Sequence, residues 1–282
     1  MGRTRVGIVL LALGACLLAI SFLGRWTALG RYESLPPRSW ERFDPALVKA
    51  TPDLESLYRA ARVRAPRPFG EMSPGETMEV LYGTLADRFT HGDRARYSSF
   101  SNWILWALGT AIPHYGDIQD PDALLRGGYS ALCGDVSYVL MRMAGKAGIP
   151  SRHALLEGHI VMEARYDNAW HAYDPDLEVA ATDDAGVVAS VATLERRPDI
   201  VRKSYAGRGD SAYIETIVAI YASVANNESL AYPADPGPAT PGQRPGRVER
   251  AARLASFLLP AALIAAGAVL AAGGGQRRRR EP

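Results

Sequence analysis

The longest apolar stretches of the chain lie near its two ends. Residues 6–24 contain no charged side chain and are bounded by Arg5 and Arg25, and residues 254–275 form a second uncharged run. A helix of about 20 apolar residues is long enough to cross a bilayer. The pattern therefore predicts two transmembrane helices, at 6–24 and 254–275, which would place the region between them on one side of the membrane.

Basic residues flank both predicted helices. Arg3 and Arg5 precede the first helix, and the arginine run 277–280 follows the second. Because cytoplasmic flanks carry an excess of Lys and Arg, the short ends 1–5 and 276–282 are predicted to be cytoplasmic, and the middle of the chain periplasmic or otherwise extracytoplasmic. Four arginines just before the second helix favour the opposite orientation: Arg244, Arg247, Arg250 and Arg253.

A cleaved signal peptide is the alternative interpretation of the first apolar run. Apolar residues continue past Cys16 to Gly24, and no small-residue cleavage site precedes the polar sequence. We therefore prefer an uncleaved anchor.

Between the two apolar runs, the pattern predicts one α+β domain at 25–232. Ser73, Pro74 and Glu76 form a helix start with a capping box. Apolar residues at helical spacing predict helices at 53–64, 74–90, 97–112, 133–148 and 214–224. Alternating segments bounded by turn residues predict strands at 152–156, 159–166 and 170–173.

Two segments between the apolar runs differ in composition from the rest. The helix at 97–112 carries Trp103 and Trp106 and is apolar on almost every side, so it is either a buried helix or the wall of a groove, and core packing of the tryptophans is preferred. Residues 233–253 begin with a run rich in proline and glycine, which predicts an extended tether to the second membrane helix.

Composition narrows the possible functions. The net charge is +2, and no stripe of basic and aromatic residues indicates a nucleic-acid partner. No glycine pattern typical of phosphate binding is found, so no cofactor is predicted. The chain has two cysteines, Cys16 in the first apolar run and Cys133 in the middle region, so the middle region cannot form an internal disulfide. A lone thiol in an oxidising compartment must be buried or used in chemistry.

Cys133 stands where a helical pattern begins. The N–H groups and the dipole at a helix N-terminus stabilise negative charge, which favours the thiolate form of this cysteine. The same N–H groups could hold the oxyanion of a tetrahedral intermediate. Taken alone, a cysteine is more often a small buried residue than a nucleophile, so a base near the sulfur is the further requirement.

Strand parity supplies a candidate base and its orienting partner. With a two-residue turn at Asp167 and Asn168, Val161 stands opposite Asp174, and His159 lies on the same face as Val161. Asp174 would then accept a hydrogen bond from one nitrogen of His159 and leave the other for the sulfur. A three-residue turn would place the two side chains on opposite faces.

These segments closely resemble the transglutaminase-like superfamily. The similarity covers residues 127–176: a cysteine that opens a helix ending in Gly-Ile-Pro-Ser-Arg at 148–152, a histidine that opens a strand, and a Trp-x-x-x-Asp-Pro segment at 170–175. Cys133, His159 and Asp174 fall on the three catalytic positions of that family. The resemblance implies a papain-like core, with a cysteine helix on an antiparallel sheet, and acyl transfer through a thioester.

The chain also departs from the family pattern. Residues 160–163, Ile-Val-Met-Glu, stand where Ala-Trp-x-Glu is common, and no side-chain donor for the oxyanion is evident. The resemblance implies a cysteine peptidase, amidase or transglutaminase-type acyltransferase. With the two predicted membrane helices, the chain is expected to be a membrane-anchored enzyme that acts on a peptide or protein substrate in the cell envelope.

Two alternatives stay open at this point. His153, His159 and His171, with the carboxylates of Asp174 and Asp176, could form a metal site, but their spacing fits no helical metal motif and we predict none. The acidic residues from Asp174 onward do not have the spacing of a calcium loop and are expected to form a solvated loop: Asp174, Asp176, Glu178, Asp183 and Asp184. The second alternative is a non-catalytic module that retains the fold and serves binding or assembly in the envelope.

Overall fold

The computed structural model describes residues 2–231 and 247–278 and has a mixed α+β architecture. The α-helices, in chain order, are α1 Arg3–Trp26, α2 Pro45–Ala50, α3 Leu54–Arg64, α4 Pro74–Ala86, α5 Ser99–Ala111, α6 Pro121–Gly127, α7 Cys133–Lys146, α8 Val191–Leu194, α9 Pro198–Tyr205, α10 Ser211–Ala222 and α11 Arg247–Arg278. The strands are β1 Thr90–His91, β2 Ser130–Ala131, β3 Ser151–Leu156, β4 His159–Tyr166, β5 Ala169–Tyr173 and β6 Glu228–Ala231.

The described residues divide into two compact units. The first contains residues 2–32, 96–120 and 247–278, and the second contains 33–95 and 121–231. Residues 96–120 therefore group with α1 and α11, whereas the sequence pattern predicts that they belong to a single domain at 25–232. The limits of that domain stay a prediction. The predicted tether lies largely outside the described residues, and its last part, 247–253, begins α11.

Helices α1 and α11 pack on each other in opposite directions. Both are long and apolar enough to cross a membrane. Their backbones approach closely at small residues, because a Cβ on Gly14 would lie 2.7 Å from the carbonyl oxygen of Pro260. The hydroxyl of Ser21 donates to the carbonyl of Ser256 at 2.9 Å. Such close contact between small residues is typical of helix pairs in lipid.

Helix α5 packs against both α1 and α11. The residues on either side of α5 are bound to α11 through the buried carboxylate of Glu249. This carboxylate accepts from the hydroxyl of Tyr97 at 2.7 Å and from the N–H of Gln119 at 2.9 Å. The helix buries Leu105 and leaves 47% of Trp106 exposed. The expectation of core packing is therefore wrong for Trp106, which lies off the packed face of α5.

The second unit is built around a four-stranded antiparallel sheet with the strand order β5-β4-β3-β6. Tyr166 pairs with Ala169 and Met162 with Tyr173, so the turn between β4 and β5 has two residues. Asp167 and Asn168 both adopt positive φ angles, of 50° and 58°. Turns of this type match the twist of the flanking strands and fix their register.

Helix α7 packs against β3 and β4. It ends just before Gly148, whose φ of +74° provides the left-handed stop that the sequence predicts. The apolar stripe of α7 is buried, as its spacing indicates: Val136, Val139, Leu140, Met143 and Ala144. The cysteine helix thus lies on the antiparallel sheet.

A short parallel pair of strands precedes α7. Thr90 pairs with Ser130 and His91 with Ala131. The sequence predicts that α4 extends to Thr90, but the helix ends at Ala86. Thr90 belongs instead to this pair of strands. His91 is therefore held beside Ala131, which lies two residues before Cys133 at the start of α7.

Candidate active site

Cys133 is the first residue of α7 and is partly exposed. The hydroxyl of Ser137, one turn later, donates to the carbonyl of Ile160 at 3.2 Å. Gly134 also lies against this strand, because a Cβ there would be 3.1 Å from the Ile160 side chain. These contacts hold the first turn of α7 against β4, next to His159, which is the first residue of that strand.

His159 connects the thiol to a carboxylate. Its Nε2 lies 2.7 Å from Oδ2 of Asp174, and a second hydrogen bond joins the imidazole to Cys133. Because Nε2 is taken by Asp174, Nδ1 is the nitrogen that remains for the sulfur. The structure thus brings together all three residues that the sequence pattern singles out, and Asp174 directly follows the end of β5, where a two-residue turn would place it.

Asp174 is surrounded by donors. Its Oδ2 also accepts from the hydroxyl of Tyr205 at 2.9 Å, while its Oδ1 accepts from the N–H groups of Asp176 and Leu177 at 3.2 and 3.1 Å. Tyr205 in turn contacts the hydroxyl of Tyr221 at 2.9 Å. A carboxylate with this many donors is held in one orientation as an anion.

The electrostatics of this pair favour a proton on the imidazole. Burial alone would lower the pKa of His159, but the charge and hydrogen bond of Asp174, with the contact to Cys133, raise that pKa well above its usual value. Burial alone would raise the pKa of Asp174, but His159 and the donors from Leu177 and Tyr205 lower it. The cluster therefore favours an imidazolium beside an ionised Asp174.

A second histidine and aspartate lie at the same site. One carboxylate oxygen of Asp176, one ring nitrogen of His159 and the sulfur of Cys133 all lie within 4.8 Å of one another. Asp176 Oδ1 is 2.9 Å from Nδ1 of His91. Burial raises the pKa of Asp176, and the hydrogen bond and charge of His91 oppose this shift.

The expected solvated acidic loop is wrong for its first members. Asp174, Asp176 and Glu178 are only 2%, 5% and 8% exposed. Glu178 accepts from the backbone N–H of Arg42 at 2.8 Å and forms an ion pair with its side chain at 3.3 Å. Each carboxylate can be buried because the fold supplies donors or a cation to it, and several of these partners, such as Tyr205, His91 and Arg42, come from distant parts of the chain.

The other histidines considered as metal ligands lie elsewhere. His171 stacks on Tyr166 with ring centroids 3.8 Å apart, and its Nδ1 contacts the carbonyl of Val188 at 2.7 Å. His153 lies on β3, and burial lowers its pKa to about 4. The three-histidine arrangement is therefore not formed, and the group that does converge consists of Cys133, His159 and Asp176.

Sequence reasoning missed three contributors to the site: His91, Asp176 as a neighbour of the thiol, and Tyr205. His91 is an isolated histidine in a two-residue strand, and Tyr205 ends the short helix α9, so neither position carries a periodic signal. Asp176 could have been noted from its place two residues after Asp174, because side chains at such positions can return to the same site.

This geometry can support nucleophilic catalysis. A partly exposed sulfur lies at a helix start, an imidazole is bonded to it, and a buried carboxylate orients the imidazole. Nucleophile, base and orienter in this order can activate a thiol for attack on a carbonyl. In the first turn of α7 the N–H of Asp135 already donates to the carbonyl of Leu132, so the N–H groups of Cys133 and Gly134 are the first-turn donors that could stabilise a developing oxyanion.

Comparisons with known proteins add little to this geometry. No protein-family model matches the chain, and no curated protein matches it. A crystal structure of a TGase is similar over 46% of this chain, with 16% sequence identity and a TM-score of 0.29. The chain spans 31% of the length of that structure. At this TM-score the similarity does not establish a common fold.

Proposed function

We propose that this protein is a membrane-anchored, transglutaminase-like cysteine enzyme with a papain-like core. It would cleave or transfer the acyl group of an amide in a peptide or other cell-envelope substrate. The observation that carries the proposal is the imidazole of His159, which is bonded to buried Asp174 on one side and to Cys133 on the other. The motifs around these three residues support the same chemistry.

In the first half of the reaction, the Cys133 sulfur attacks the carbonyl carbon of the amide. The oxyanion that forms is stabilised by the N–H of Cys133 and by the positive end of α7. When the C–N bond breaks, His159 gives its proton to the leaving nitrogen, and the acyl group remains on the sulfur as a thioester.

In the second half, an acceptor attacks the thioester carbon. His159 removes a proton from the acceptor and the C–S bond breaks, after which the thiolate and imidazolium are restored. Water as the acceptor gives hydrolysis, and an amine gives a new amide bond. Throughout both halves, Asp174 holds the ring of His159 and stabilises its charged form.

The site is tested most directly by the reactivity of Cys133. In the full chain with Cys16→Ser, iodoacetamide labels only Cys133, and its rate can be followed from pH 5 to pH 9 by intact mass. An activated thiol should react rapidly below neutral pH, where a free cysteine is mostly protonated. His159→Ala should remove this low-pH reactivity.

A generic acyl donor then separates an enzyme from a binding module. With p-nitrophenyl acetate, the Cys16→Ser chain should release p-nitrophenol and form an acetyl thioester at Cys133, whereas Cys133→Ala should not. A thiol that stays inert at neutral pH in the folded protein, with His159→Ala unchanged, would favour the non-catalytic envelope module instead.

The membrane topology is part of the same proposal. The two apolar helices and the arginine clusters beside them support a two-pass protein whose second unit is extracytoplasmic. A phosphatase reporter inserted in residues 233–246 should be active only on that side. Activity of a cytoplasmic reporter at the same place would overturn the orientation and leave the chemistry unaffected.

A further inference from the structure

The side chains that face one another at the start of α7 include more than the proposed triad. Asp176 is not needed for nucleophilic attack, yet its carboxylate lies within 4.8 Å of both the Cys133 sulfur and a nitrogen of His159. Thiolate, imidazole and carboxylate are together the ligand types that Zn²⁺ binds in proteins. We propose that Cys133, His159 and Asp176 form a zinc site that reversibly blocks the nucleophile.

The ligand distances fit such a site. With metal–ligand distances of about 2.0–2.3 Å, ligands around tetrahedral zinc lie roughly 3.3–3.8 Å apart. The three atoms here are separated by at most 4.8 Å, so side-chain rotations that bring them closer by no more than about 1.5 Å would complete the geometry. A fourth position would stay open for water or a substrate atom.

The surroundings of the ligands also fit. Histidine ligands of zinc usually donate their other N–H to a carboxylate or carbonyl, which fixes the ring and its tautomer. His159 has this arrangement, because its Nε2 contacts Asp174 at 2.7 Å and leaves Nδ1 for a metal. Asp176 has an equivalent partner, since His91 contacts its Oδ1 at 2.9 Å and the other carboxylate oxygen, Oδ2, would bind the metal.

Zinc and catalysis would exclude each other at this site. The metal would take the sulfur lone pair that attacks the substrate and the His159 nitrogen that carries the proton. The blocking role therefore rests on the proposed function, whereas the binding of the metal does not. Asp176 separates the two activities, because it is a metal ligand and not a member of the triad.

The experiment uses the full Cys16→Ser chain in detergent after removal of metals with a chelator. Zn²⁺ is titrated against a chromophoric chelator, and labelling of Cys133 by iodoacetamide is measured with and without one equivalent of the metal. Asp176→Asn is the test variant. Asp184→Asn is its matched control, because the Asp184 side chain is 82% exposed and pairs with Arg197 at the surface.

We expect one Zn²⁺ per chain, protection of Cys133 from labelling, and recovery of labelling when a chelator is added. Asp176→Asn should weaken binding by about ten-fold or more and abolish protection, while its metal-free thiol still reacts. Asp184→Asn should behave like the parent chain. Replacement of Zn²⁺ by Co²⁺ should give a thiolate-to-metal absorption band that Cys133→Ala removes.

Other results would overturn one proposal or the other. If Cys133 is reactive and Zn²⁺ neither binds nor protects it, the zinc site is rejected and the proposed enzyme stands. Equal binding by the two aspartate variants also rejects the site. If Zn²⁺ binds through Asp176 but the metal-free thiol is inert, the metal site is supported and the enzyme is rejected.

Discussion

Two histidine–aspartate pairs lie beside Cys133, and they are built differently. The His159–Asp174 contact is 2.7 Å long, and its side chains are 7% and 2% exposed. The His91–Asp176 contact is 2.9 Å long, and its side chains are 21% and 3% exposed. The contact lengths are similar, so hydrogen-bond distance alone does not distinguish the pair that would act in catalysis.

The difference lies in what surrounds each carboxylate. Asp174 accepts from Tyr205 and two backbone N–H groups as well as from His159, and its pKa falls in spite of burial. The hydrogen bond of His91 does not offset the burial of Asp176, whose pKa rises. The donors around Asp174 therefore stabilise its ionised form, whereas Asp176 has fewer donors and its ionised form would be stabilised by a further positive charge.

Removing each carboxylate is the strongest test of this contrast. In metal-free buffer, Asp174→Asn should lower the rate of p-nitrophenol release from p-nitrophenyl acetate by about 10³-fold, because His159 loses the anion that orients and charges it. Asp176→Asn should lower the same rate by less than about ten-fold. Similar losses in the two variants would mean that both pairs belong to the catalytic machinery.

The same two variants should separate in stability. Breaking a buried ion pair on one side costs about 3–5 kcal/mol, because the remaining charge is left uncompensated. Denaturant unfolding followed by circular dichroism should therefore show this loss for Asp174→Asn and a smaller one for Asp176→Asn. A folded Asp174→Asn protein with full activity would contradict the proposed role of the pair.

A third histidine, His153, shows what burial does to the pKa of an imidazole when burial is the cause of the shift. His153 lies on the neighbouring strand and is 6% exposed, as is His159, yet burial lowers its pKa to about 4 from an ordinary 6.5. Below pH 6.5, His153 is protonated in the unfolded chain, whereas in the folded protein it stays neutral until the pH falls to about 4. Stability should thus be full above pH 6.5 and fall by about 3 kcal/mol as the pH approaches 4.

His153→Phe should remove this acid-sensitive part of the stability. The measurement is the free energy of unfolding at a series of pH values between 4 and 7.5. His114→Gln serves as the matched control, because His114 is an exposed histidine. An unaltered acid profile in His153→Phe would show that this histidine is protonated in the fold.

A smaller effect is expected at the donors of Asp174. Tyr205→Phe removes one hydrogen bond to the carboxylate, and Tyr221→Phe removes only the contact to the hydroxyl of Tyr205. Loss of a buried hydrogen bond costs about 1–3 kcal/mol. Tyr205→Phe should therefore lower the labelling rate of Cys133 more than Tyr221→Phe does, because only Tyr205 donates to the carboxylate that orients His159. Timed alkylation of the two variants measures this difference.

The two pairs also differ in how far the sequence predicts them. The turn at Asp167 and Asn168 fixes the register of the hairpin, so alternation along β4 and β5 is enough to bring His159 and Asp174 together. The preference of Asp167 and Asn168 for a turn and the alternation of side chains along the two strands are therefore sufficient to predict this contact. The extent of α7 is likewise predicted by the sequence, because its apolar spacing begins at Cys133 and Gly148 follows its end.

The second pair could not be predicted in this way. His91 reaches the site through the two-residue pairing of β1 with β2, which joins residues about 40 positions apart and leaves no periodic pattern. Asp176 was expected in solvent because an acidic run is usually solvated, whereas it is buried and contacts that distant histidine. The grouping of residues 96–120 with α1 and α11 is another long-range arrangement, fixed in part by the carboxylate of Glu249.

The smallest predicted effect concerns His91 itself. His91→Asn keeps a neutral donor near Asp176 and removes the imidazole, so in metal-free protein the labelling rate of Cys133 should change by only a few-fold. The same variant should weaken Zn²⁺ by about ten-fold, because His91 orients the carboxylate ligand. A large loss of thiol reactivity together with unchanged zinc affinity would reverse the roles assigned to the two pairs, since His91 would then act on the nucleophile and not on the metal site.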